Sequence, residues 1–100
     1  MSTRILLTEA SNPNFTQMQD HATQRFVANG GDANSVKQGE NDVTYSFNGH
    51  VYNLKLQGTD KVRATLDGKV VPTELDISDG GLPKTLTDLD REFAHFKQAM

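Results

Sequence analysis

Acid–base chemistry in this chain would have to come from three histidines, His21, His50 and His95, with help from two tyrosines and the carboxylates, since there is no cysteine. A thiolate nucleophile, a disulfide framework and cysteine-ligated zinc are thereby excluded. By helical phase His21 and His95 point away from the apolar stripes of their segments. The three histidines fall on separate elements, so their spacing supplies no metal site. The mechanistic signatures are missing as well: no P-loop, no dinucleotide-binding glycine pattern, no His-Glu-x-x-His, no nucleophile elbow and no calcium loop. Gly30-Gly31 reads as a helix stop rather than a phosphate cradle. His50 alone invites a chemical role. It follows directly on Asn48-Gly49, with Tyr45 and Tyr52 close in sequence, and what it can do depends on which side of its strand it faces.

Asn48-Gly49 sets that side. The pair supplies the two positive-φ positions of a type I′ turn between two strand-like runs in Asp42 to Leu56. With a two-residue loop, Phe47 faces His50, Tyr45 faces Tyr52 and Val43 faces Leu54. One side of the hairpin then carries Val43, Tyr45, Phe47, His50, Tyr52, Leu54 and Leu56. The other carries Thr44, Ser46, Val51, Asn53 and Lys55, and a one-residue slip would undo the sorting. His50 thus falls on the inner side, at the hairpin tip. With Tyr45 and Tyr52 it could line a small-ligand pocket between the first helix and the sheet, where burial would favour the neutral imidazole and make it a usable base. The competing reading is stronger because it asks only for packing: His50 sits at the rim of the core and the tyrosines pack with their hydroxyls toward water.

Ahead of this hairpin, Arg4–Thr8 offers a short strand with Ile5 and Leu7 inward, most easily placed beside Asp42–Phe47. Asn12 and Pro13 read as the cap and first residue of a helix reaching about Asn29. Phe15, Met18, Ala22 and Phe26 form its apolar stripe, with Gln17, Asp20 and Gln24 opposite, and Gly30 ends it. Residues 30–41 read as a mobile connection with room for one short strand around Val36. After the hairpin, Gly58-Thr59-Asp60 turns into Lys61–Leu66, and Asp67-Gly68 makes a second two-residue turn into Lys69–Ile77. That register pairs Leu66 with Lys69, Ala64 with Val71 and Val62 with Thr73. Pro72, opposite Arg63 at a non-hydrogen-bonded position, marks Lys69–Ile77 as an edge strand. Ser78–Gly81 breaks the sheet, and Thr85 or Thr87, each with an aspartate three residues on, caps a last helix whose stripe is Leu86, Leu89, Phe93, Phe96 and Met100.

The expected fold is α+β in two layers: a four-stranded antiparallel meander with two helices packed on one face, in the order (β)αββββα, forming a single domain over residues 1–100. A strand, a helix and a four-strand meander in this order resemble the cystatin-like topology with an added C-terminal helix. The resemblance is one of element order and carries no function with it.

Ten basic and 13 acidic residues give a formal charge of −3, too slight for an acidic nucleic-acid mimic and of the wrong sign for general phosphate binding. Lys55, Lys61 and Arg63 share the outer face of the sheet. The register sets Asp42 against Lys55 and Glu74 against Lys61, which leaves Arg63 as the one basic residue there without a direct acidic neighbour. Without stacking aromatics on that face, nucleic-acid binding ranks last. Val51, Thr65, Val70 and Pro72 add a modest apolar strip to it. Ile5-Leu6-Leu7 is too short for a signal-peptide core or a membrane span, so a cytoplasmic location without a membrane partner is expected.

Elimination leaves a small protein-interaction module, an inhibitor, adaptor or subunit, acting through a sheet edge or the outer face. Its contact residues would be Val51, Arg63, Thr65, Val70 and Pro72, and pairing of two copies through the edge is open to it. The alternative is a ligand-binding domain or small enzyme built on His50, Tyr45 and Tyr52. The residues imply no catalytic group, no metal and no cofactor, and an enzyme is the less favoured reading.

Overall fold

In a computed structural model, residues 12–72 and 74–99 are described, 96–99 as backbone alone. The expected strand Arg4–Thr8 lies outside the described residues. The first helix, α1, spans Pro13–Ala28. Asn12 caps it, its side chain accepting the Phe15 N–H at 3.1 Å, and Pro13 takes the first helical position, where no donor is needed. Gly30 ends the helix with a φ of 100°, a conformation costly for any residue with a Cβ. Gly31 is fixed by packing instead, since a Cβ there would stand 2.5 Å from the Phe26 ring. A 3₁₀ turn, Ala33–Ser35, then leads into β1, Lys37–Gln38.

The sheet continues with β2 (Asp42–Phe47), β3 (His50–Gln57), β4 (Lys61–Leu66), β5 (Lys69–Val70) and β6 (Leu75–Asp76), and the chain closes with α2 (Leu82–Ala99). Strands β1 to β5 lie side by side in sequence order, and β6 also pairs with β4, every pair antiparallel. Asn48 and Gly49 have φ of 49° and 83°, Asp67 and Gly68 of 53° and 85°, the paired positive values of type I′ turns. The β2–β3 register is the expected one, with Phe47 on His50, Tyr45 on Tyr52 and Val43 on Leu54. Between β3 and β4, Leu56 meets Val62 and Lys55 meets Arg63.

The last expected strand is corrected. Instead of one run from Lys69 to Ile77, two short segments pair with β4. Leu66 meets Lys69 and Thr65 meets Val70 as expected, but Val62 meets Leu75 rather than Thr73, and Lys61 meets Asp76 rather than Glu74. Val71 still donates its N–H to the Ala64 carbonyl at 2.8 Å, as expected, after which β4 has Arg63 alone before the next pair while the returning chain has three positions, Pro72 and Glu74 among them. The result is a bulge of two extra residues around Pro72, which has no N–H to give a ladder. Two is also the side-chain period of a strand, so Leu75 and Ile77 still face the core and are buried. The returning chain is at the sheet edge, as Pro72 implied. At the opposite edge β1 sets Lys37 on Thr44 and Gln38 on Val43, filling the place expected for the N-terminal strand.

The start of α2 is corrected too. It begins at Leu82, ahead of both expected caps. The buried Thr85 hydroxyl donates to the Asp76 carbonyl at 2.7 Å and accepts the Asp76 N–H at 3.0 Å, so the first turn of the helix grips β6 as a neighbouring strand would. Thr87 bonds back to the Pro83 carbonyl. Asp88 pairs with Lys84 at 2.9 Å and Arg91 at 2.7 Å, and Asp90 reaches across to His21 at 2.7 Å. The Thr–Asp spacing therefore records ties along and between elements, not a capping box, and His21 faces α2 rather than open solvent.

Both helices cover the same side of the sheet. Phe15, Met18, Ala22 and Phe26 of α1 and Leu82, Leu89 and Phe93 of α2 join the inward residues of the strands in one core. Phe93 stands at its centre, its ring 5.1 Å from Tyr45, 5.6 Å from Tyr52 and 6.0 Å from Phe26. Burial of such a side chain contributes about 1.5–3 kcal/mol, and tilted ring pairs add to it.

Candidate interaction surface

The structure does not assemble His50, Tyr45 and Tyr52 into a pocket. Both tyrosines are fully buried, and their hydroxyls are engaged: Tyr45 with the Thr23 hydroxyl at 2.9 Å, and Tyr52 donating to Glu92 Oε1 at 3.0 Å. Burial pushes the Tyr45 hydroxyl up to about 12, against the opposing bond from Thr23. Burial, reinforced by the Glu92 carboxylate, drives Tyr52 far above the ordinary tyrosine value. Both therefore stay protonated, and neither is a base at neutral pH.

His50 is exposed, which corrects the burial that the pocket reading required. Its ring packs 5.6 Å from that of Phe47, and its Nδ1 lies 2.7 Å from Asp67 Oδ2. An ionised carboxylate can only accept, so Nδ1 carries the proton. Asp67 Oδ1 also accepts the Val51 N–H at 2.8 Å. These bonds, that from His50 foremost, hold the Asp67 carboxyl below the usual carboxylate range. The arrangement is a clasp between two adjacent turns, not a reactive centre.

The outer face offers more. One row across the sheet runs Lys37, Thr44, Asn53, Thr65, Val70, and another runs Asp42, Lys55, Arg63. Both helices lie on the opposite side, so nothing in the described chain covers these rows. Val51 and Val70 are 45% and 63% exposed, high values for large apolar side chains. Lys61 is neutralised, though by Asp76 at 3.6 Å instead of Glu74. Among the described residues the Arg63 guanidinium makes no ion pair or hydrogen bond. Where the returning chain leaves β4, a depression of about 360 Å³ opens beside Arg63 and Ala64, with Val70, Val71, Pro72 and Leu75 among its walls. Three of the expected contact residues, Arg63, Val70 and Pro72, thus meet around one feature. Thr65 pairs with Val70 next to it, while Val51 stands apart opposite Ser46.

Several polar residues passed over in the sequence hold this frame. Gln19 is buried and donates to the carbonyls of Gly39 and Asp42, both at 2.9 Å, tying α1 to the β1–β2 turn. Asn12 donates to the Thr59 carbonyl at 2.6 Å and Asn14 to that of Ile77 at 2.7 Å. Gln19 had a legible signal, for it falls four residues after Phe15 and three before Ala22, inside the apolar stripe. The asparagines gave none beyond the helix cap. Among the described residues every buried side-chain nitrogen and oxygen has a partner, and no group of three or more His, Cys, Asp or Glu side chains is placed to hold a metal ion. No described helix is long and apolar enough to cross a membrane. No protein-family model, curated protein or solved structure matches the chain.

Proposed function

We propose that the protein is a small protein-interaction module, an inhibitor, adaptor or assembly subunit, that works through its outer sheet face and the β4–β5 edge. The observation that carries this reading is the largely apolar depression beside Arg63, at the edge where the returning chain leaves β4, with a Val70 that is 63% exposed among its walls. A chain without cysteine is at home in a reducing cytoplasm, where such a module would meet its partner.

Light scattering after size separation, on the protein alone and after incubation with a cell extract, tests the reading. The wild type is expected to form either a larger complex or an oligomer. Val70→Asp should abolish it without unfolding the protein, whereas Val27→Asp, at an exposed site on α1, should not. A protein that stays single in both conditions, or a complex indifferent to Val70→Asp, overturns the proposal.

A further inference from the structure

We propose that the segment seated beside Arg63 is an extended peptide that places an apolar side chain in the depression and a carboxylate on the Arg63 guanidinium. This rests on the docking reading above and adds the chemistry of the occupant. The shape argues for an extended chain. The depression lies beside Arg63 and Ala64 of β4, between the pairs Thr65–Val70 and Val62–Leu75, and an extended segment crossing it turns successive side chains to opposite sides, so one can enter while its neighbour stays at the rim. The walls argue for an apolar side chain, because most of the lining is apolar, Val70, Val71 and Leu75 included, and among its polar residues Lys61 is already engaged by Asp76.

Charge argues for the acid. Lys61 is already engaged by Asp76 and Lys55 faces Asp42 across the strands, whereas Arg63 is unmatched among the described residues. A guanidinium presents a planar fork that fits a carboxylate through two parallel bonds. Glu74, in the bulge and part of the same lining, repels a carboxylate on its side, which leaves the acid a single favourable place, against β4. The same Glu74, and a net charge of −3, weigh against a phosphate backbone in this position.

The test is a methyl-detected NMR titration with capped pentapeptides: Ser-Val-Leu-Asp-Ser, Ser-Val-Leu-Lys-Ser and Ser-Gly-Ser-Asp-Ser. The first is expected to shift the methyls of Val62, Val70, Val71 and Leu75 saturably. Binding should weaken about fivefold with the lysine peptide or with Arg63→Gln, the scale of one exposed ion pair, and vanish with the peptide lacking an apolar residue. Deleting Pro72 and Thr73, which closes the bulge, should remove the shifts, the amide spectrum confirming a folded protein. Equal binding of the aspartate and lysine peptides overturns the carboxylate assignment and leaves the docking reading intact. No shift with any peptide overturns both. Shifts that follow protein concentration alone would make a second copy the occupant, and saturable shifts with an oligothymidine in place of the peptides would make it a nucleic acid; either result overturns the proposal.

Discussion

Asp67 closes one hairpin turn while its carboxylate fastens the neighbouring one, through His50 and the Val51 N–H. Its lowered pKa fixes the sign of a pH effect. The stabilisation is fully present above the ordinary value of 3.8 and is lost as pH falls through the lowered one. A carboxyl-detected NMR titration should place the Asp67 midpoint below the ordinary 3.8, and His50→Ala should move it back up. The tyrosines give the opposite sign. Protection of the Tyr45 and Tyr52 hydroxyls is complete below the ordinary 10.0 and drains away as pH rises toward the raised values. With two tyrosines and no tryptophan in the chain, ultraviolet absorbance reads them directly. Tyrosinate should appear together with loss of the fold, not in a separate step near 10.0. The clasp was not legible from residue types, since Asp67 has two jobs and the turn rule accounts for only one of them.

Between elements, the first turn of α2 is joined to β6 by the two bonds of the Thr85 hydroxyl. Thr85→Val keeps the shape and leaves both Asp76 backbone groups unmet, so it should cost about 1–3 kcal/mol in urea unfolding, while Thr85→Ser should cost much less. The bulge makes a second prediction. Removing Pro72 and Thr73 would set Glu74 on Arg63 while preserving the observed pairs Val62 with Leu75 and Thr65 with Val70. The variant should fold, with amide exchange showing one protected strand where there are now two. Two-residue turns made the pairing of β2, β3 and β4 legible, because a turn of fixed length determines register. The bulge was hidden by its own parity: a continuous strand and a bulged one bury the same side chains, and only Pro72 hinted at the difference.

For the whole molecule, two amphipathic helices and a sheet with one apolar face permit few arrangements, which is why the layers could be read from stripes alone. Phe93 joins the layers, meeting α1 and the sheet at once. Phe93→Ala should therefore cost about 3–5 kcal/mol in chemical denaturation, whereas Val51→Asp and Val70→Asp on the bare face should stay within about 0.5 kcal/mol. That contrast separates the residues that build the protein from those free to serve a partner. The polar ties through Gln19, Asn14 and Thr85 escaped the sequence reading because each depends on contacts between segments 9 to 63 residues apart.

The two-residue bulge also bears on how such a chain can change over time. Pairing resumes at Leu75, so a change of length between Val71 and Leu75 that kept Leu75 on Val62 would leave the interior untouched and alter only the depression beside Arg63. Length variation should therefore gather at this point, giving selection a way to reshape this surface without reopening the problem of folding.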